Sequence, residues 1–207
     1  MKYVVDTNII IDYYICSQTI DAQASREKTE YCTSLRNFLI TNARDLLISD
    51  LSMREFMLKL IDKFLESLLP PPELGDRSLM EFTDELVKNI INSLGMELLE
   101  TRRDTLLNAY ETSRVINQRI NMLFHGRDSR RIERRKLGRD IINIIHSSRN
   151  NAPLLTRDTN LTKLLEDIDM AKCKETVTNG LRARHCEVTV RVNEETIQTT
   201  LLLITQQ

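Results

Sequence analysis

The strongest constraint on this chain is the alternation of short apolar runs with longer segments of helical periodicity. The runs are Lys2–Val5, Asp45–Asp50 around Leu46-Leu47-Ile48, Met96–Leu99 and Leu154–Asp158. Short runs without polar alternation suit strands buried on both faces, as in a parallel sheet. Between them, apolar residues recur three and four apart. Ile9-Ile10-Ile11 follows a capping Thr7 or Asn8, and Leu35–Thr41 forms a second helical segment. Ser52-Met53-Arg54-Glu55 has the capping-box pattern and opens a helix carrying Phe56, Leu60 and Phe64. After Pro70-Pro71-Pro72 and Gly75, a helix is expected through Leu79, Phe82, Leu86, Ile90 and Leu94. Leu106, Tyr110, Ile116, Ile120 and Leu123 continue with helical spacing, followed by Ile141–Ile145 and Leu161–Ile168. Residues 22–30 are polar and read as a loop or frayed helix. Strands alternating with helices over residues 1–168 predict an α/β fold with a mainly parallel central sheet. Beyond it, Glu187–Val192 and Thr196–Ile204, joined at Asn193-Glu194-Glu195, are expected to form a C-terminal β-hairpin.

The 207 residues suffice for one domain with a sizeable core. The expected division is residues 1–170, with a helical region at about 76–135, and an extension at 171–207. The 29 basic and 30 acidic residues leave a formal net charge of -1, which excludes a general polycation. No apolar run approaches the roughly 20 residues that span a bilayer. Met1–Asp6 turns acidic too early for a signal peptide, so a cytoplasmic protein without membrane contact is expected. Cys16, Cys32, Cys173 and Cys186 form no CxxC pair and are expected to be thiols. His125, His146 and His185 are scattered and expected to be structural. P-loop, dinucleotide-binding and serine-hydrolase motifs are missing.

The acids carry the chemistry. Ligands of open α/β sheets bind beyond the carboxyl ends of the strands. Asp6 and Asp158 leave the sheet on that edge, Glu55 lies near the start of the helix after the second strand, and Asp140 precedes an apolar helix. Singly, each has a structural alternative: Asp6 as a cap, Glu55 closing the capping box, Asp140 on a solvent face, Asp158 in a turn. Jointly they predict a cleft of four carboxylates whose repulsion a cation must relieve. Hard oxygen ligands suit Mg²⁺ or Mn²⁺, which activate water for phosphodiester hydrolysis.

Val4-Val5-Asp6-Thr7-Asn8, Ser52-x-x-Glu55, Asp140 ahead of an apolar helix, and Leu154-Leu155-Thr156-Arg157-Asp158 resemble the four acidic motifs of PIN-domain ribonucleases, including VapC-like enzymes. The resemblance spans residues 1–168. It implies a three-layer α/β/α Rossmann-like fold and metal-dependent cleavage of RNA. By position it implies Asp6, Glu55, Asp140 and Asp158 as metal-site carboxylates, supported by Asn8, Thr156 and Asn160. Members are often toxins held by an antitoxin and often homodimers, so an antitoxin partner or an RNA-processing role is expected. The chain departs from compact toxins in its length, its enlarged segment between Glu55 and Asp140, and its extension.

Between residues 127 and 139, Arg127, Arg130, Arg131, Arg134, Arg135, Lys136 and Arg139 face only Asp128 and Glu133. A helical strip of this kind attracts phosphates, and its place before Asp140 predicts a nucleic-acid-binding face. The chain has no Trp and no aromatic among these arginines, so backbone reading is expected over base stacking. The alternatives are a structure-selective DNA nuclease and a non-catalytic nucleic-acid- or protein-binding module.

Overall fold

The computed structural model describes residues 1–18, 26–66, 69, 72–123, 134–178, 181–192 and 195–205. The chain is mixed α/β. Its elements are β1 (Tyr3–Val5), α1 (Thr7–Gln18), α2 (Arg26–Thr41), β2 (Leu46–Ser49), α3 (Asp50–Leu65), α4 (Leu79–Ser93), β3 (Glu97–Leu99), α5 (Arg103–Leu123), α6 (Arg134–Arg149), β4 (Leu154–Thr156), α7 (Thr159–Asp167), β5 (Ala171–Thr178), β6 (Leu181–Val192) and β7 (Glu195–Ile204). The strands form one sheet in the order β3-β2-β1-β4-β7-β6-β5. Pairing is parallel from β3 through β7 and antiparallel for β7 with β6 and β6 with β5.

Alternation along the strands separates two cores. Tyr3, Val5, Leu46, Ile48 and Leu155 face Ile9, Leu35, Phe38, Phe56, Leu60 and Ile90. Val4, Leu47, Leu154 and Leu201 face Ala109, Ile116, Ile120, Ile141, Ile144 and Leu165. Helices therefore cover both faces, and the successive apolar residues of β1, β2 and β4 each have a core to enter.

Several sequence expectations shift. The α3 cap is Ser49, whose side chain accepts the Ser52 N–H; the expected Ser52–Glu55 capping box is not formed, because the helix starts directly where β2 ends. A complete capping box instead joins Ser78 and Glu81 at α4. α1 begins at Thr7, so Thr7 and Asn8 lie in its first turn instead of ahead of it. In α5 the buried stripe is Thr105, Ala109, Thr112, Ile116 and Ile120, whereas Leu106 and Tyr110 are exposed. Small and β-branched side chains let this half of α5 approach its neighbours.

The tail does contain the antiparallel pair expected there, as β6 and β7, with Val192 opposite Glu195. It is larger than a hairpin. β5 pairs with β6 over eight residues, and β7 also pairs in parallel with β4, so all three strands extend the central sheet. The joints at residues 22–25, Pro70-Pro71 and Asn193-Glu194, with His125, lie outside the described residues. His146 is buried with Nε2 3.3 Å from the Thr101 hydroxyl. Among the described residues, no helix is long and apolar enough to cross a membrane.

The cysteines are paired, contrary to the expectation of thiols. Cys173 joins Cys186, its register partner across β5 and β6, and Cys16 joins Cys32 between α1 and α2. The second link closes a sequence separation of 16 residues, and in the chain-entropy account a loop of that size is worth about 3 kcal/mol. The oxidised protein is therefore expected to unfold at a higher denaturant concentration than the Cys16→Ser/Cys32→Ser variant. Equal midpoints in urea titrations followed by circular dichroism would contradict that role for the α1–α2 link.

Candidate functional site

The carboxyl ends of β1 and β4 deliver Asp6 and Asp158 to one edge of the sheet. β1 and β4 are parallel neighbours, with Val5 opposite Leu155, so Asp6 follows one strand beside Thr156 at the end of the other. Asp6 is buried and densely hydrogen-bonded. Its Oδ1 accepts the Thr7 N–H at 2.7 Å and the Asn143 amide at 3.5 Å. Its Oδ2 accepts the Thr156 hydroxyl at 2.8 Å and the Asn8 amide at 3.3 Å. Burial raises the Asp6 pKa; the Thr156 hydrogen bond and the Lys59 charge oppose the rise, and Glu55 adds to it.

Glu55 projects from the second turn of α3. Freed from capping, its Oε2 accepts the Thr7 hydroxyl at 3.0 Å. Its Oε1 meets two cations, Lys59 Nζ and Arg139 Nη1, each at 3.1 Å. Lys59 also donates to Asn8 Oδ1 at 2.9 Å. Asp158 is fixed differently: it is the N-cap of α7, and its Oδ1 accepts the Asn160 and Leu161 N–H groups at 2.9 Å. Asp158 is thus a helix cap instead of the turn residue that the sequence also allowed, and the cap leaves Oδ2 outside those bonds. Asn160 contributes its backbone here and is itself exposed.

Asp140, in the second turn of α6, is where the cluster acts electrostatically. Its pKa is pushed up to about 8, first by burial and then by repulsion from Asp6, Asp158 and Glu55, with Arg139 pulling against them. The four acids named from sequence therefore share one field. Asn8 and Thr156 hold Asp6 directly.

Arg127, Arg130 and Arg131 lie outside the described residues; Arg134, Arg135 and Lys136 form the first turn of α6. Arg139 turns inward to Glu55. Sequence reasoning missed Thr7 as a Glu55 ligand, Lys59 and Asn143. The last two stand four residues after Glu55 and three after Asp140, the helical spacing that brings side chains onto one face. Asn143 is also held from behind, with its Oδ1 3.0 Å from the Ser49 hydroxyl and 3.1 Å from that of Ser52. That contact ties the end of β2, α3 and α6 to Asp6.

Beside the cluster lies a cleft of about 490 Å³ lined by Asn8, Lys59, Asp12 and Arg157, among others. Asp12 pairs with Arg157 and accepts the Tyr31 hydroxyl at 2.7 Å, while the Arg157 guanidinium lies 5.4 Å from the Tyr31 ring centre. Tyr31 precedes Cys32, so the α1–α2 disulfide holds this wall in place.

The donor set is entirely carboxylate oxygen, the chemistry that suits Mg²⁺ or Mn²⁺. Among the described residues, however, no three His, Cys, Asp or Glu side chains converge as closely as a bound ion requires. Glu55 is committed to Lys59 and Arg139 instead.

The Asp140 shift has a definite sign. From its ordinary value of 3.8 up to about 8, the folded chain keeps a proton that the unfolded chain releases. The stability this group contributes therefore falls as pH rises across that window. In EDTA, Asp140→Asn is expected to melt above wild type at pH 8, with the gap narrowing towards pH 5. A gap independent of pH in thermal melts would contradict the assignment. The chain as a whole matches no protein-family model, no curated protein and no solved structure.

Proposed function

We propose that this chain is a metal-dependent nuclease of the PIN type that hydrolyses phosphodiester bonds of RNA. The observation that carries the reading is the shared field at Asp140, which feels Asp6, Asp158 and Glu55 at once. Acids supplied by β1, β4, α3 and α6 at the carboxyl edge of a parallel sheet are what a divalent-ion site of this kind uses. The local order β3-β2-β1-β4, all parallel, and helices on both faces support the Rossmann-like form of that reading.

Each residue has a task in it. Asp6, oriented by Thr156, Asn8 and Asn143, would hold the ion from a fixed position. Asp158, set by the first amides of α7, offers its second oxygen. Glu55 and Asp140 would complete the set that holds the cation, and the cation's charge would favour the ionised form of Asp140. Bound Mg²⁺ or Mn²⁺ supplies water activation and neutralises charge on the phosphodiester. Lys59 and Arg139 bring positive charge to the same place, where the phosphate backbone must lie.

The test is incubation of end-labelled single-stranded RNA and DNA with the protein in Mn²⁺, Mg²⁺ or EDTA. RNA cleavage that needs metal is expected, falling at least 100-fold in Asp6→Asn and Asp158→Asn. Asn is itself a good N-cap, so the second change tests the carboxylate without removing the cap. DNA cleavage alone would replace RNA as substrate. Salt-sensitive binding without cleavage of either would replace the enzyme with a binding module.

A further inference from the structure

We propose that Arg139 is an internal counter-ion that keeps Glu55 from a divalent metal until a phosphate of a nucleic-acid strand draws it away. The proposal rests on the nuclease reading and adds a mode of control to that site. Both oxygens of Glu55 have partners: Oε2 takes the Thr7 hydroxyl, and Oε1 takes both Lys59 and Arg139. A metal that binds Oε1 must displace one of the two cations, and one that binds Oε2 meets the charge of both.

They are not equally held. Lys59 shares a helix with Glu55 and is tied a second time, to Asn8 Oδ1 at 2.9 Å. Arg139 comes from another element, α6, and Glu55 is its one ion-pair partner among the described residues. Its side chain is 46% exposed, against 15% for Glu55, so it reaches solvent without rearrangement of the core. Arg139 is therefore the partner that leaves. A guanidinium pairs as well with phosphate as with carboxylate, through two parallel N–H donors. It also stands at the end of the basic stretch, next to Asp140.

The consequence is a linkage. Moving Arg139 onto a phosphate leaves Asp6, Glu55, Asp140 and Asp158 short of one positive charge, and a divalent ion then enters more favourably. By reciprocity, metal in the site strengthens the hold on the strand.

Mn²⁺ binding to the full chain, followed by calorimetry, tests this without turnover. The proteins are wild type, Arg139→Gln, Arg139→Lys, Lys63→Gln and Asp6→Asn, each shown to be folded by thermal melt. The probe strand is a phosphorothioate oligoribonucleotide. Without it, Arg139→Gln is expected to bind Mn²⁺ at least fivefold more tightly than wild type. Arg139→Lys, which keeps the charge, and Lys63→Gln, one turn beyond Lys59 and not in contact with Glu55, are expected to stay within twofold. The oligonucleotide is expected to tighten Mn²⁺ binding to wild type severalfold and to Arg139→Gln less than twofold. If Arg139→Gln gains nothing while Asp6→Asn loses Mn²⁺, the counter-ion proposal is overturned and the metal site stands. Equal gains in Arg139→Gln and Lys63→Gln would also overturn it, as an effect of net charge. No Mn²⁺ binding by wild type or Arg139→Gln, with or without the strand, would overturn the proposal and the metal reading together.

Discussion

Carboxylates forced into one another's field set the terms for the rest of this structure. Asp6 is buried at the end of β1, and Asp140 is pushed towards its neutral form by burial and by its three acidic neighbours. Left alone, such a group drives its members apart or protonates them. Here the surroundings offset the repulsion in two ways. Fixed dipoles converge on Asp6 and Asp158 from Thr7, Asn8, Asn143, Thr156 and the first turn of α7. Positive charge, from Lys59 and Arg139, meets Glu55. The rigid half of the cluster is neutralised by hydrogen bonds and the adjustable half by ions.

The fixed half depends on connections well behind the carboxylates. Ser49 both caps α3 and lies against Asn143, so the turn that launches α3 also sets the position of α6. On the other side, Arg157 is spent on Asp12 and packs over Tyr31, beside the disulfide joining α1 to α2. The Ser49–Asn143 and Arg157–Asp12 contacts cross between elements far apart in sequence. The site is therefore only as well ordered as the packing of α1, α3 and α6 on the sheet.

Much of this was legible in the sequence, for identifiable reasons. β1, β2 and β4 are short and apolar up to their last residues, Ser49 in β2 and Thr156 in β4, because both faces are covered, and Asp6 and Asp158 are conspicuous because they follow such runs. Glu55 was visible but ambiguous, since Ser-x-x-Glu is also a capping pattern; only the point where β2 stops decides that Ser49 does the capping. Lys59 and Asn143 were hidden because a polar residue bordering an apolar helix face usually faces water. β5 escaped notice because Ala171–Thr178 is largely polar, held by its pairing with β6 instead of by burial. The disulfides left no motif, since their partners meet through register and helix packing.

The order β4-β7-β6-β5 has a consequence for synthesis on the ribosome. β5 and β6 emerge before β7 and can pair at once, closed by Cys173–Cys186, but among the described residues their ladder to the parallel strands runs through β7. Until Glu195–Ile204 is available, β4 is left with one side unpaired, next to the strand end that carries Asp158. The nascent chain thus holds an exposed β4 edge and a waiting two-stranded ribbon, and the insertion of β7 joins the two into one sheet.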